Sequence, residues 1–374
     1  KKDDKKDSDP TEKAPPEAVK DELGGRAGAT TVLHVLDNDR APKDDILSIT
    51  AVKNSNPQVT VQVAPDQQTL LATINQGVTA GVFNFTYTID DGEKRNATAH
   101  GVVELSARSA EDDAHGKPEL RDNYTEEDAI VYPVAAGGTV DIPPLVDWRD
   151  QTYGDPVVVV PASASADKGS VTITPDGLLR FTAPKGESGS TTINYQVTTG
   201  GEESPGTVAV RIYRAPDTAS PKAQPDVAAA QVGSAFSVRP LVNDVPGADP
   251  IDPEARLQLA GNVSSSAGLD VKTNLNTGVL TVEGSRPGTY LVPYDAKFGD
   301  AAKTDSGLMK ISILPGGQVS NEPMAIPDTT VIHGASPMTV DVIANDYDAK
   351  GRLLVVQHAE PVQANGQLSV AVLD

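Results

Sequence analysis

The chain says the same thing more than three times. A short hydrophobic stretch ends in Leu36-Asp37-Asn38-Asp39, and its counterparts are Leu145-Val146-Asp147, Leu241-Val242-Asn243-Asp244 and Ile343-Ala344-Asn345-Asp346. The last Asp of each recurs at intervals of 108, 97 and 102 residues. A Tyr within an alternating stretch keeps the same beat at Tyr87, Tyr195 and Tyr294, and a Gly follows at Gly101, Gly206 and Gly307. Three independent landmarks with one period mean tandem domains, so 374 residues hold three whole units and part of a fourth. Arrays of this kind place something at a distance or bind along their length.

The interior of a repeat reads as strand, turn, strand. Phe83, Phe85, Tyr87 and Ile89 alternate with Asn84, Thr86 and Thr88, which puts four apolar groups on one face. Ile193, Tyr195 and Val197 do the same in the second repeat, and Tyr290, Val292 and Tyr294 in the third. A closing strand follows each, at Val103 and Leu105, then Val208, Val210 and Ile212, then Met309, Ile311 and Ile313. Turns are marked by Asp90-Asp91-Gly92, Pro175-Asp176-Gly177 and Asn276-Thr277-Gly278. No stretch carries a sustained helical period. Aromatics make up only 4 % of the chain, so each core must be small and aliphatic. The expected fold is all-β, a series of antiparallel two-sheet sandwiches joined by short Pro-bearing linkers.

Five segments follow. Residues 1–20 are expected to be a disordered charged linker, because Lys1 to Asp7 offers no apolar side chain to offset ordering. Repeats are placed at 21–107, 119–214 and 221–315, with a partial one at 321–374. Joints such as Pro15-Pro16-Glu17, Lys117-Pro118-Glu119 and Glu322-Pro323-Met324 precede them. In the partial repeat, Leu368 to Asp374 lines up with Val59 to Asp66, so its second half is missing and its apolar face is expected to be poorly ordered.

Composition narrows function. A net charge of −21 repels phosphate backbones and anionic membranes, so no nucleic acid is expected as a partner. No apolar run approaches the ~20 residues that cross a bilayer, and no membrane insertion is expected of this stretch. With no leader-like start, the chain is expected to be part of a longer protein or a mature form. Cysteine is absent, which removes disulfides and thiol chemistry together.

The order Asn-Asp-x-Asp, hydrophobic strand, Asp-Gly turn, Phe-x-Tyr-x-x-x-Asp-Gly and terminal Val-rich strand resembles bacterial cadherin-like, immunoglobulin-like tandem repeats of large surface proteins. Asn345-Asp346-Tyr347-Asp348 and Phe85 to Gly92 carry the likeness best, and the composition resembles long surface proteins of actinobacteria. The resemblance implies an extracellular, surface-anchored or secreted protein, an extended stalk or adhesion scaffold, with a protein or a glycan at the cell surface as partner. It also implies calcium, with Asp37, Asn38 and Asp39, and Asn345, Asp346 and Asp348, as candidate ligands. The same residues equally suit turn capping onto their own backbone.

Other chemistry finds little support. Trp148, with Tyr153 nearby, is a candidate sugar-stacking platform and equally a packing residue. Exposed sandwich edges and the variable loops 246–253 and 151–156 motivate the alternative reading, a ligand-binding module for carbohydrate or protein. The five histidines are scattered, and Gly186-Glu187-Ser188-Gly189-Ser190 breaks the nucleophile-elbow pattern at its last position. No catalysis is expected. A Lys–Asn amide staple, Lys53 with Asn96 or Lys272 with Asn194, is left open by the sequence.

Overall fold

The computed structural model describes residues 14–42, 45–92, 98–252, 254–299, 303–317, 322–332, 337–348, 352–361 and 368–373. All regular structure among them is β-strand. Residues 1–13, most of the expected linker, lie outside the described set, as does Asn96.

In the first repeat the strands are β1 (Asp21–Arg26), β2 (Thr30–Leu33), β3 (Ser48–Lys53), β4 (Val59–Val63), β5 (Leu70–Ile74), β6 (Ala80–Asp90) and β7 (Thr98–Arg108). They form one sheet in the order β1-β7-β6-β3 and a second in the order β2-β5-β4. The alternation in β6 is realised: Phe83, Phe85, Tyr87 and Ile89 are buried against Val103, Leu105, Leu70 and Ile74, while Asn84 and Thr86 face out. Residues 17–20 are not free linker. Glu17 bridges Arg40, and Ala18 packs on the core.

The third repeat reproduces both sheets. Asp226–Gln231, Asp305–Leu314, Gly288–Phe298 and Leu257–Leu259 form the larger one in that order, and Ala235–Val238, Val279–Gly284 and Leu269–Asn274 the smaller. The second repeat keeps the plan, with Val158–Val159, Gly189–Thr198, Glu203–Tyr213 and Val131–Ala135 facing Thr139–Ile142, Leu179–Thr182 and Ser170–Ile173.

Alternation cannot reveal one feature. The first and last long strands of each repeat are parallel neighbours: β1 beside β7, Val131–Ala135 beside Glu203–Tyr213, and Asp226–Gln231 beside Asp305–Leu314. The sheets are therefore mixed rather than wholly antiparallel.

The repeats also touch one another. Lys310 of the third repeat is fully buried, and its ammonium contacts the Asp90 carboxylate and donates to the carbonyls of Ile46 and Asp90 at 3.0 Å each in the first. Burial lowers the Lys310 pKa, and Asp90 opposes the shift. This contact departs from the extended array expected above. After Leu314 no strand occurs among the described residues; Met324 bridges Tyr347, and Leu353 and Leu373 are largely exposed. Lys272 and Asn194 stand on different repeats, on exposed strand positions, which removes that staple.

Candidate functional site

The three landmarks of the period converge on one point in the first and third repeats, where the chain enters. In the first, the Tyr87 ring fills the space over Gly101, where a Cβ would lie 2.2 Å from the ring carbons. That approach explains the Gly. The Tyr87 hydroxyl then reaches 3.0 Å from both oxygens of Asp39 and 3.2 Å from the carbonyls of Val19 and Val35. Asp39 Oδ1 accepts the Val19 N–H at 2.7 Å, and the Asn38 amide donates to Lys20 O at 3.2 Å. Asp39 and Asn38 thus latch the entering segment onto the sandwich.

The third repeat builds the same latch. Gly307 makes room for Tyr294, whose hydroxyl lies 2.9 Å from Asp244 Oδ1, 3.1 Å from Gln224 O and 3.2 Å from Pro240 O. Asp244 accepts the Gln224 N–H at 2.7 Å, and Asn243 donates to Pro225 O at 3.0 Å. In the partial repeat Asp346 accepts the Ile326 N–H at 2.8 Å. Each of these three Asp residues reaches a backbone N–H 20 residues upstream.

The second repeat differs and corrects the sequence register. Tyr195 donates to Pro144 O at 3.0 Å, as Tyr294 does to Pro240 O. Pro144-Leu145-Val146-Asp147-Trp148 therefore matches Pro240-Leu241-Val242-Asn243-Asp244, one residue on from the alignment by Asp. Asp147 stands in the Asn position and Trp148 in the Asp position. The indole N–H of Trp148 donates to the Tyr195 hydroxyl at 3.0 Å, replacing the carboxylate. Asp147 is held instead by Arg121, Nε to Oδ1 at 2.7 Å.

The latch also contains an acid that sequence reading missed. Asp21, at the start of β1, is 4 % exposed and faces Asp39, Tyr87 and Asn38. Asp226 holds the same place beside Asp244, Tyr294 and Asn243, and Asp328 beside Asp346 and Asn345. Each lies 18 residues before its latch Asp, a constant offset that could have exposed it. The second repeat has Ile130 there, 18 residues before Trp148. Burial pushes Asp21 and Asp226 up to about 8 and Asp39 to about 6, and it raises both tyrosine hydroxyls.

The candidate calcium ligands do not converge. The Asp37 carboxylate is taken by Arg149 of the second repeat, Nε to Oδ2 at 2.7 Å and Nη2 to Oδ1 at 3.2 Å. Asn38 and Asp39 serve the latch. Asp346 holds Ile326, Asn345 faces Asp328, and Asp348 turns to Arg352, Nε to Oδ2 at 2.9 Å. Calcium requires six to eight oxygens around one centre. Among the described residues no group of three or more His, Asp or Glu is placed to hold a metal ion, so these two sets do not fit the cation.

The bacterial Ig domain model matches residues 13–105 and 122–211. These two stretches are bacterial Ig domains. No curated protein matches the sequence. Among solved structures, an endo-fucoidan hydrolase of glycoside hydrolase family 107 is 13 % identical over 81 % of this chain and 45 % of its own, with a TM-score of 0.22. The human Desmocollin-1 ectodomain is 13 % identical over 85 % of this chain and 64 % of its own (TM-score 0.22). Mouse Cadherin-23 EC22-24 is 14 % identical over 80 % of this chain and 99 % of its own (TM-score 0.20). The chain spans less than half the length of the fucoidan hydrolase.

Trp148 and Tyr153 fall at the contact between the two bacterial Ig domains. Trp148 is half-buried on the second domain's core, and the Arg108 guanidinium covers the Tyr153 ring at 4.6 Å. Around them, Gly24 N–H donates to Gln151 O at 2.7 Å. Asp155 contacts Arg108, takes His115 Nδ1 at 3.0 Å and stands 3.6 Å from Arg26 Nη2. A cleft of about 470 Å³ opens beside this contact, lined among others by His34, Asp37, Trp148, Arg149 and Gln151. Burial, aided by Arg149, depresses His34 to about 3, so it is neutral there.

Proposed function

We propose that the chain is a non-catalytic, load-bearing segment of a large extracellular repeat protein, a stalk or adhesion scaffold at the cell surface. One observation carries this reading. In each complete repeat the first long strand and the last are parallel neighbours, over six residue pairs in the first and third repeats and five in the second. Force applied at the two ends of a repeat then loads that whole ladder in shear, so its hydrogen bonds must fail together rather than one by one. The polar residues that recur with the period fasten each entry segment to its own sandwich, which suits the same role. Bacterial Ig domains serve as modules of larger chains, in keeping with an extracellular location.

Single-molecule pulling tests this reading. The fragment should show three separate unfolding events, each releasing ~30 nm of chain at roughly 3.3–3.6 Å per residue, after an earlier release of Lys310 from Asp90. Leu23→Pro, which removes a β1 donor, should weaken one event and leave two. Extension without resolvable events would end the stalk reading.

The cleft beside Trp148 and Arg149 favours a second reading, a site for a carbohydrate or protein partner at the surface. Glycan-array binding that is lost on Arg149→Ala would support it; signal equal to background across the array would remove it.

A further inference from the structure

The latches of the first and third repeats contain more acceptors than donors. Around Tyr87 stand the carboxylates of Asp21 and Asp39 and the carbonyls of Val19 and Val35, while the Tyr hydroxyl has one proton to give. The Val19 N–H is spent on Asp39, and the Asn38 amide bonds Lys20 O and faces Asp21. Asp21 Oδ2 is buried without a hydrogen-bond partner. The third repeat has the same deficit: Asp226 Oδ2 and Asp244 Oδ2 are both buried without partners, and Asp244 is 8 % exposed. In the second repeat the count balances, because the Trp148 N–H donates to Tyr195, which donates to Pro144 O. An unpaired buried acceptor is costly, and a second carboxylate beside it makes ionisation costlier still.

We propose that the first and third repeats each hold one proton between a buried carboxyl and a half-buried one, Asp21 with Asp39 and Asp244 with Asp226, and that its loss as pH rises loosens the joint where the repeat begins. The shared proton supplies the missing donor. The surroundings do not neutralise the pair by other means. Asp122 faces Asp21 from the second repeat and adds negative charge. Lys20 is committed to Glu22 and Glu104 at 2.7 and 2.8 Å, and Asp37 to Arg149. Beside Asp244 the further charged group is Asp305, also an acid.

The sign follows from proton linkage. A free carboxyl ionises near pH ~4, whereas Asp226 is pushed up to about 8. Between these values the folded repeat keeps a proton that the unfolded chain has released, so stability is full below pH ~4 and falls as pH rises toward 8. In the first repeat neutral His34 opposes this trend, since an unfolded His takes up a proton below pH ~6.5. The third repeat, 221–315, contains no His and isolates the effect.

The deciding experiment is a carboxyl ¹³C NMR titration of the full chain in chelator, with the Asp226 signal assigned by its loss in Asp226→Asn. The expected midpoint for Asp226 lies above pH 6. The third-repeat unfolding transition should fall by roughly 5 °C between pH 5 and 8, and Asp226→Asn should flatten that slope. Titration of both Asp226 and Asp244 below pH 5 would overturn the proposal, as would an unchanged slope in the variant. Should the variant fail to fold, the Tyr294 ring signals of the wild-type chain report the pair, and they should shift with a midpoint above pH 6; a midpoint below pH 5 overturns the proposal.

Discussion

The first and second repeats solve one problem with opposite chemistry. Both must pin an incoming segment to the end of a sandwich beneath a buried Tyr. The first uses two acids, Asp21 and Asp39, where the second has Ile130 and Trp148. The Trp brings a donor to the Tyr, so that latch is satisfied at any pH at which the protein folds. The acid pair brings only acceptors and needs a proton from outside. The third repeat sides with the first. One fold therefore carries a neutral joint between two titratable ones, and the comparison shows that the conserved element of the latch is the Tyr-over-Gly contact rather than the partner of its hydroxyl.

The largest expected effect tests that shared element. Gly101→Ala, Gly206→Ala and Gly307→Ala each drive a Cβ into a Tyr ring at 2.2–2.4 Å. Each should destabilise its own repeat by about 3 kcal/mol, read as one lowered calorimetric transition out of three. Unequal losses would show that the latches differ in more than polarity. Next comes a transplant. Ile130→Asp with Trp148→Asp should give the second repeat the missing pH slope, costing about 2 kcal/mol at pH 8 and much less at pH 5; a pH-independent loss would mean the acids do not share a proton there. Smaller again is removal of the hydroxyl. Tyr87→Phe or Tyr294→Phe takes away the hydroxyl donor facing the pair and should cost about 2 kcal/mol, against about 1 kcal/mol for Tyr195→Phe, measured by urea unfolding. The smallest effect is expected from calcium. Excess calcium against chelator should leave all transitions in place, whereas a rise of several degrees confined to the first and third repeats would make the acid pairs cation sites.

The period and the alternating strands made the sandwiches legible, because burial on one face imposes a two-residue rhythm that Phe83 to Ile89 displays openly. Tyr and Gly were visible as landmarks, but not that they touch, since the contact joins adjacent strands whose register only the fold supplies. The second latch was misaligned by one residue because Asp147 looks like the Asp it neighbours. Only the carbonyl that Tyr195 reaches, that of Pro144, reveals that Trp148 holds the position. Asp21 was hidden for a related reason. An acid at the start of a strand looks solvent-facing until its partner, 18 residues on, is folded over it. The parallel pairing of β1 with β7 left no trace in either strand, as hydropathy carries no direction.

That pairing has a bearing on how the chain comes into being. β1 finds its neighbour only in β7, the last strand of the same repeat, with Asp21 opposite Val103. During synthesis or export the first strand must wait, unpaired on that side, until the whole repeat has emerged, and closure then comes late and at once. Neighbouring repeats are then completed in sequence, each sealed before the next has a closing strand to offer. A chain built of near-copies is in this way kept from pairing the opening of one unit with the ending of another.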